Sequence, residues 1–318
     1  MRKIAVYGSY ITPAHKNEIT ALAEASGFSV SYFPDDSPAL RDGIGEFEVL
    51  FGFPPPEWLE NARALRWLSS SAAGVERYIG ALPPGCVLTS GSGAYGTSIS
   101  EHILMVLLML LRRMPEYRPT LAAREWTHFS PVRSIDGSHC VLLGTGDIGF
   151  STARRLRSLG ASVTGINRSG RASHAAFQRV YPVEELDHVL PTADALILSL
   201  PATPATRGIL SRERLALLPP SAFVVNVGRG CTIDQDALAE ALQKGRLAGA
   251  ALDVMTPEPL PPSHPLWDCP NTIITPHCSG TMSLSQTCDR AVDIFLRNLT
   301  RYAAGEPLDN LIDPEVGY

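Results

Sequence analysis

The chain is short of paired cysteines, of long apolar runs and of positive charge, and each shortage removes a class of protein. Its six cysteines, Cys86, Cys140, Cys231, Cys269, Cys278 and Cys288, form no C-x-x-C pair and no Cys/His cluster at metal-ligand spacing. No metal site is expected, and scattered thiols suit a reducing cytosol. The longest apolar run, Ile103 to Leu111, falls well short of the roughly 20 residues that span a bilayer. The start, Met1 to Gly8, carries too short an apolar stretch for a signal-peptide core. A soluble, cytoplasmic protein with no membrane partner is therefore expected. A formal net charge of -5 and a pI near 5.9 leave no basic footprint for nucleic acid, so local arginines need a smaller anionic partner.

What is present is ordinary for a folded chain: 45% hydrophobic and 19% charged residues. At 318 residues it exceeds one compact domain, so two domains are expected. In the first third, Ile4 to Tyr7, Ser29 to Phe33, Val49 to Phe53, Leu65 to Ser70 and Val87 to Ser90 read as parallel strands. Helices fit at Pro13 to Ser26 and Glu57 to Ala64. At Ser98-Ile99-Ser100-Glu101 the spacing matches a capping box, and an apolar helix runs to about Arg113. Apolar residues surround it, which predicts burial on every side, between two domains or two subunits.

A second series of strands then begins: Cys140 to Leu143, Ser162 to Ile166, Ala195 to Leu198, Phe223 to Asn226, Gly249 to Leu252 and Thr272 to Ile274. Six strands with crossover helices make a doubly wound sheet. A last helix, Ser283 to Tyr302, leads to a polar tail ending at Tyr318 that is expected to return to the first domain. The fold class is α/β, with two doubly wound parallel-sheet domains. A Rossmann cofactor domain, 99–284, is inserted into a flavodoxin-like substrate domain, 1–98 and 285–318.

The glycine-rich turn Gly144-Thr145-Gly146-Asp147-Ile148-Gly149 lies between the strand Val141 to Leu143 and a helix expected over Ser151 to Leu159. A G-x-G-x-x-G match alone is weak, but a strand before and a helix after it place backbone N–H groups at one anion site. Gly144 and Gly146 let the backbone approach a pyrophosphate, and Gly149 lets helix and strand pack closely. Asp147 would add a negative charge near that phosphate, so its carboxylate is expected to face solvent. An NAD-preferring site places Asp or Glu on the ribose about 20 residues beyond the turn. Here Asn167-Arg168-Ser169 stands there, with Arg171 nearby, which favours the 2'-phosphate of NADP, with NAD as the alternative.

Three successive strand ends then deliver chemistry. Arg229 follows Phe223 to Asn226, and its planar fork matches a carboxylate. Glu258 follows the next strand between Pro257 and Pro259, which restrict its loop. His277 follows the last strand, and a neighbouring carboxylate would favour the imidazolium that protonates a ketone oxygen. Singly, each has a bland structural explanation; together, behind a dinucleotide turn, they point to catalysis.

On these residues the chain resembles the D-isomer-specific 2-hydroxyacid dehydrogenase family. The matching segments are Val141 to Gly149, Ser199 to Pro201, Asn226 to Gly230, Asp234 to Gly245, Gly249 to Leu260 and Thr275 to Gly280, flanked by Ser70 to Glu76 and Ser100 to Arg113. The resemblance implies Arg229 as carboxylate anchor, His277 as acid/base and Glu258 as its partner. It implies Asp253 at the nicotinamide carboxamide, and Pro201, Thr206, Val227, Gly228, Ser279 and Gly280 along the cofactor. It further implies Ala73 and Gly74 as the backbone that holds the substrate from the first domain. Glu76 stands where Asp is usual, and Asn167 replaces the acidic residue, as in the glyoxylate/hydroxypyruvate reductase branch.

The expected function is NADP-preferring reduction of a short 2-oxo acid of that type to the D-2-hydroxy acid, in a homodimer joined through the apolar helix. Alternatives on the same fold are a nucleotide-sensing, corepressor-like interaction protein and a phosphite- or formate-type dehydrogenase. His102 reads as a satisfied core or interface histidine and Cys278 as a small packing residue. Ser71 and Tyr95 are divided between cleft and structural roles, and Trp126 between gating the site and packing at a subunit contact.

Overall fold

Strands that are apolar on both faces dictate the layout of the chain. In the computed structural model, which describes residues 1–171 and 175–313, these strands form two parallel sheets in two compact units. One unit comprises Met1–Tyr95 and the chain from Thr281 onward; the other is Gly96–Gly280.

In the first unit, β1 (Arg2–Tyr7), β2 (Phe28–Phe33), β3 (Val49–Gly52), β4 (Trp67–Ser70) and β5 (Val87–Thr89) lie in the order β2-β1-β3-β4-β5. This is the flavodoxin-like winding. Ile4, Ala5 and Val6 are all buried, as a central parallel strand covered on both faces requires. The helix α1 (Pro13–Ala25) starts at a reciprocal cap: the Thr12 hydroxyl accepts from the His15 backbone N–H, and the His15 ring accepts from the Thr12 N–H. A short α2 (Pro38–Gly43) precedes β3. The expected helix at Glu57 to Ala64 is instead a 3-10 turn over Pro56–Asn61, bounded by two prolines before it.

The second unit begins with α3 (Gly96–Leu111) and α4 (Met114–Ala122), separated by Arg113 in the left-handed region at φ 60°. Then come β6 (His139–Leu143), α5 (Asp147–Ser158), β7 (Ser162–Asn167), β8 (Arg179–Pro182), α6 (Leu186–Val189), β9 (Ala195–Leu198), α7 (Arg212–Leu217), β10 (Phe223–Asn226), α8 (Gln235–Gln243), β11 (Gly249–Leu252) and β12 (Thr272–Ile274). Their order, β8-β7-β6-β9-β10-β11-β12, is the Rossmann winding with one further strand. The sheet therefore has seven strands among the described residues, where six were expected. The unforeseen β8 is a partly exposed edge strand ending in proline, so it lacks the apolar run that marks its neighbours.

The expected cap of α3 fails. Ser98 and Glu101 do not cap it: the helix already runs at Gly96, the Ser98 hydroxyl donates to the Ser279 carbonyl at 2.8 Å, and Glu101 pairs with Arg155. The helix lies whole within the second unit, which runs from Gly96 to Gly280. Within the single chain one side of the helix is open. Ile99, Ile103, Val106, Leu107, Leu110 and Leu111 are covered, but Met105 and Leu108 are exposed.

The final helix, α9 (Ser285–Ala304), belongs to the first unit. Its apolar stripe places Phe295 on Phe51, with ring centroids 4.4 Å apart and planes 7° apart, and against Trp67 at 5.5 Å. Beyond it, Ile312 donates its backbone N–H to Leu88 at the end of the same sheet. The tail after α9 was expected to return to the first domain; its residues up to Asp313 belong to the first unit, and residues 314–318 lie outside the described residues. Among the described residues, no helix is long and apolar enough to cross a membrane.

Candidate active site

Parallel strands end on one side of a sheet, so the loops after β10, β11 and β12, which are neighbours in the second unit, open side by side. Arg229 follows β10. Its turn is braced by the buried Asn226, whose amide accepts from the Gly228 N–H at 3.1 Å and donates to the Arg229 carbonyl at 3.0 Å. The Arg229 guanidinium donates to the Gly228 carbonyl at 2.7 Å. Gly230 cannot be larger: a Cβ there would stand 2.1 Å from the backbone of Met255.

Glu258 follows β11, between cis peptide bonds at Pro257 and Pro259. One of its oxygens accepts from the Met255 N–H at 2.9 Å, and the other lies 2.8 Å from His277 Nδ1. The first bond aims the second. Both side chains are partly exposed.

His277 follows β12 and sits in the left-handed region at φ 51°. A non-glycine residue held there costs on the order of 1–3 kcal/mol, which the surroundings must offset. Asp253, buried at the end of β11, does so. Its backbone carbonyl accepts from the His277 N–H at 2.9 Å, and its carboxylate accepts from the backbone N–H groups of Cys278 at 2.9 Å and Ser279 at 3.0 Å. The Thr275 hydroxyl adds a fourth bond at 2.6 Å. Burial alone would raise the Asp253 pKa, but the hydrogen bonds from Ser279, Thr275 and Cys278 outweigh it and hold the carboxyl below its ordinary value.

The glycine turn lies between β6 and α5. Gly144 has φ 104°, and a Cβ there would meet Ser199 at 2.8 Å. At Gly149 a Cβ would stand 2.0 Å from the Gly144 carbonyl, so only glycine allows this approach of helix to strand. Gly146 differs: it is exposed at the helix N-cap with open space where a Cβ would be. Such a cradle at a helix N-terminus fits a pyrophosphate.

Residues 104–279 match the model of the D-isomer specific 2-hydroxyacid dehydrogenase, NAD binding domain. The glyoxylate/hydroxypyruvate reductase A of Serratia proteamaculans is 33% identical over 273 residues, covering 83% of this chain and 85% of that protein. The chain belongs to the D-isomer specific 2-hydroxyacid dehydrogenase family. A family member of known structure from Aeromonas salmonicida subsp. salmonicida is 34% identical with a TM-score of 0.85, covering 98% of this chain and 99% of that one. The NADPH-dependent glyoxylate/hydroxypyruvate reductase of Sinorhizobium meliloti, solved with NADP and sulfate, is 27% identical with a TM-score of 0.81 over 100% of both chains. The protein is thus an NAD(P)-dependent enzyme of this family.

Other residues singled out in this dehydrogenase's sequence fall as follows. Pro201 and Thr206 lie in the loop after β9, where the Thr206 hydroxyl donates to the Pro201 carbonyl at 2.6 Å. Val227 is buried, with its N–H on the Leu198 carbonyl at 3.1 Å, and Gly228 passes Leu200 so closely that a Cβ would lie 2.6 Å from its carbonyl oxygen. Ile148 lies in the first turn of α5, and Ser279 and Gly280 end the His277 loop. After β7, Asn167 spends its amide on the loop: it donates to Thr145 Oγ1 and the Arg171 carbonyl and accepts from the Ser169 and Gly170 N–H groups. Arg168, Ser169 and Arg171 are carried exposed on that frame.

In the first unit, Ala73 is exposed and Gly74 half-buried in the loop after β4. Gly91 donates its N–H to the Ala72 carbonyl at 2.8 Å, and the Tyr95 hydroxyl donates to the Ser71 carbonyl at 2.9 Å. Buried Ser71 and Tyr95 therefore act as supports of this loop.

Two expectations are corrected. The Asp147 carboxylate does not face solvent: Oδ1 stands 2.4 Å from where a Gly96 Cβ would be, and Oδ2 is buried, because α3 packs closely on α5. Cys278 is not a packing residue, since its side chain is exposed. Its thiol pKa is raised, by partial burial first and by Asp253 second, so it is a poorer nucleophile than an ordinary cysteine. Trp126 is fully exposed. The supporting roles of Asn226 and Thr275 had no signal of their own in the sequence, both being short polar residues at element ends, and Ser98 carried the signal of a cap instead.

Because folding lowers the Asp253 pKa, the stability it contributes is present above 3.8, the ordinary value, and is lost as pH falls through the folded value. Asp253→Asn is expected to cost about 1–3 kcal/mol in urea unfolding at neutral pH. The gap from the unmodified protein should shrink below pH 3.8. Equal stability at neutral pH would remove Asp253 as the brace.

Proposed function

We propose that this dehydrogenase is an NADP-preferring reductase of short 2-oxo acids of the glyoxylate or hydroxypyruvate type, yielding the D-2-hydroxy acid, or glycolate from glyoxylate. The observation that carries the reading is the contact of His277 Nδ1 with Glu258 at 2.8 Å, beside the strand end that bears Arg229. Glu258 engages His277 Nδ1 and so orients the ring, leaving the Nε2–H of His277 to protonate the ketone oxygen. Arg229 holds the substrate carboxylate with its planar fork, and the backbone of Ala73 and Gly74 receives the same substrate from the first unit. When bound, the nicotinamide dinucleotide supplies the hydride.

The dinucleotide lies along Gly144 to Gly149, with Pro201, Thr206, Val227, Gly228, Asp253, Ser279 and Gly280 around it. A neutral Asn167 and exposed Arg168, Ser169 and Arg171 support NADP over NAD, as does the NADP bound by the Sinorhizobium relative. Six free thiols suit a cytoplasmic enzyme.

His277→Ala is expected to lower kcat by about 10²- to 10⁴-fold with cofactor affinity retained. Arg229→Ala should raise KM for charged substrates by about 10- to 100-fold. Turnover at the unmodified level in the His277 variant would take that residue out of the chemistry. In a second test, rates with NADPH and NADH are compared at equal low concentration; a clear NADH preference defeats the NADP assignment.

The exposed Met105 and Leu108 on α3 support a homodimer formed through that helix. Sedimentation should give a dimer that Leu108→Glu converts to monomer. A monomeric unmodified protein defeats this reading.

A further inference from the structure

We propose that His102 is a positioning residue for His277, acting through Thr275 and Asp253. The proposal rests on the reading of His277 as proton donor.

His102 lies on α3, four residues after Ser98, so the two share one face of the helix. Its Nε2 is 3.4 Å from Thr275 Oγ1 and 4.0 Å from Asp253 Oδ1, with the ring mostly buried. The Thr275 hydroxyl has one proton, and it goes to the Asp253 carboxylate at 2.6 Å, which can only accept. The imidazole nitrogen facing that hydroxyl must therefore donate. This orients a relay that ends on the Asp253 carboxylate: His102 Nε2–H donates to Thr275 Oγ, the Thr275 O–H donates to Asp253 Oδ1, and the backbone N–H groups of Cys278 and Ser279 in the His277 loop donate to the same carboxylate.

The same helix grips the loop a second time, where Ser98 donates to the Ser279 carbonyl at 2.8 Å. Two polar side chains one helical turn apart thus bear on a single loop. That loop holds His277 at φ 51°, a backbone state that persists only when its surroundings over-determine it. A space-filling histidine would need only to exclude water, and leucine would serve as well. A relay member needs the Nε2–H and needs Thr275 to receive it.

The experiment compares His102→Leu, Thr275→Val, the double variant and His102→Gln, whose amide N–H reaches the position of Nε2. Two readouts are taken on the full-length protein: backbone hydrogen exchange over residues 277–280 without cofactor, and kcat and KM with NADPH and glyoxylate. Each single variant is expected to speed exchange and lower kcat by about 5- to 30-fold, with KM for NADPH within about 2-fold. The double variant should be no worse than the worse single one, and His102→Gln should recover most of the loss.

Effects that multiply in the double variant would overturn the proposal. So would exchange or kcat at the unmodified level in His102→Leu, or a glutamine variant as impaired as the leucine one. If the unmodified protein reduces no 2-oxo acid, the functional reading fails instead. Exchange alone then decides whether His102 holds the loop.

Discussion

Three consecutive backbone N–H groups, those of His277, Cys278 and Ser279, converge on one buried residue, Asp253. An unpaired carboxylate in that place would be strongly disfavoured, and His277 at φ 51° would be strained without it. Each difficulty cancels the other: the loop satisfies the buried acid, and the acid holds the loop in a conformation it would not adopt alone. The His277 ring reaches Glu258 only because its backbone is held there. Glu258 in turn is aimed by the Met255 N–H, so the dyad is fixed from both ends.

The same economy of close backbone contacts governs the rest of the second unit. Gly149 against the Gly144 carbonyl, Gly228 against Leu200 and Gly230 against Met255 are approaches that a single Cβ would block. They bring successive strand-end loops into contact and leave Gly146 open, the one of the turn's three glycines with nothing near its missing side chain. Packing glycines and a cradle glycine thus occupy one motif, separable only by what lies around them.

Much of this was legible in the residues. The turn Gly144 to Gly149 and the delivery of Arg229, Glu258 and His277 by three successive strands followed from largely apolar runs such as Phe223 to Asn226 and Gly249 to Leu252, buried at every position because a parallel sheet is covered on both faces. Less was legible where a polar side chain serves a distant backbone. Ser98 looked like a helix cap because its spacing to Glu101 fits one, yet its hydroxyl serves Ser279, far along the chain. Asp147 looked solvated because it is charged, yet α3 closes over it. The edge strand β8 went unseen because an edge needs no apolar alternation.

Periodicity and glycine placement reflect burial and backbone sterics, which are local properties, so the order of elements and the chemistry at their ends could be read along the chain. Which groups hold those ends in place depends on hydrogen bonds between residues remote in sequence. Thr275 and His102 behind Asp253, and Gly91 and Tyr95 behind the Ser70 to Gly74 loop, are chosen by proximity alone. Proximity exists only once the sheets have formed, and a polar side chain's direction carries no period by which it could be foreseen.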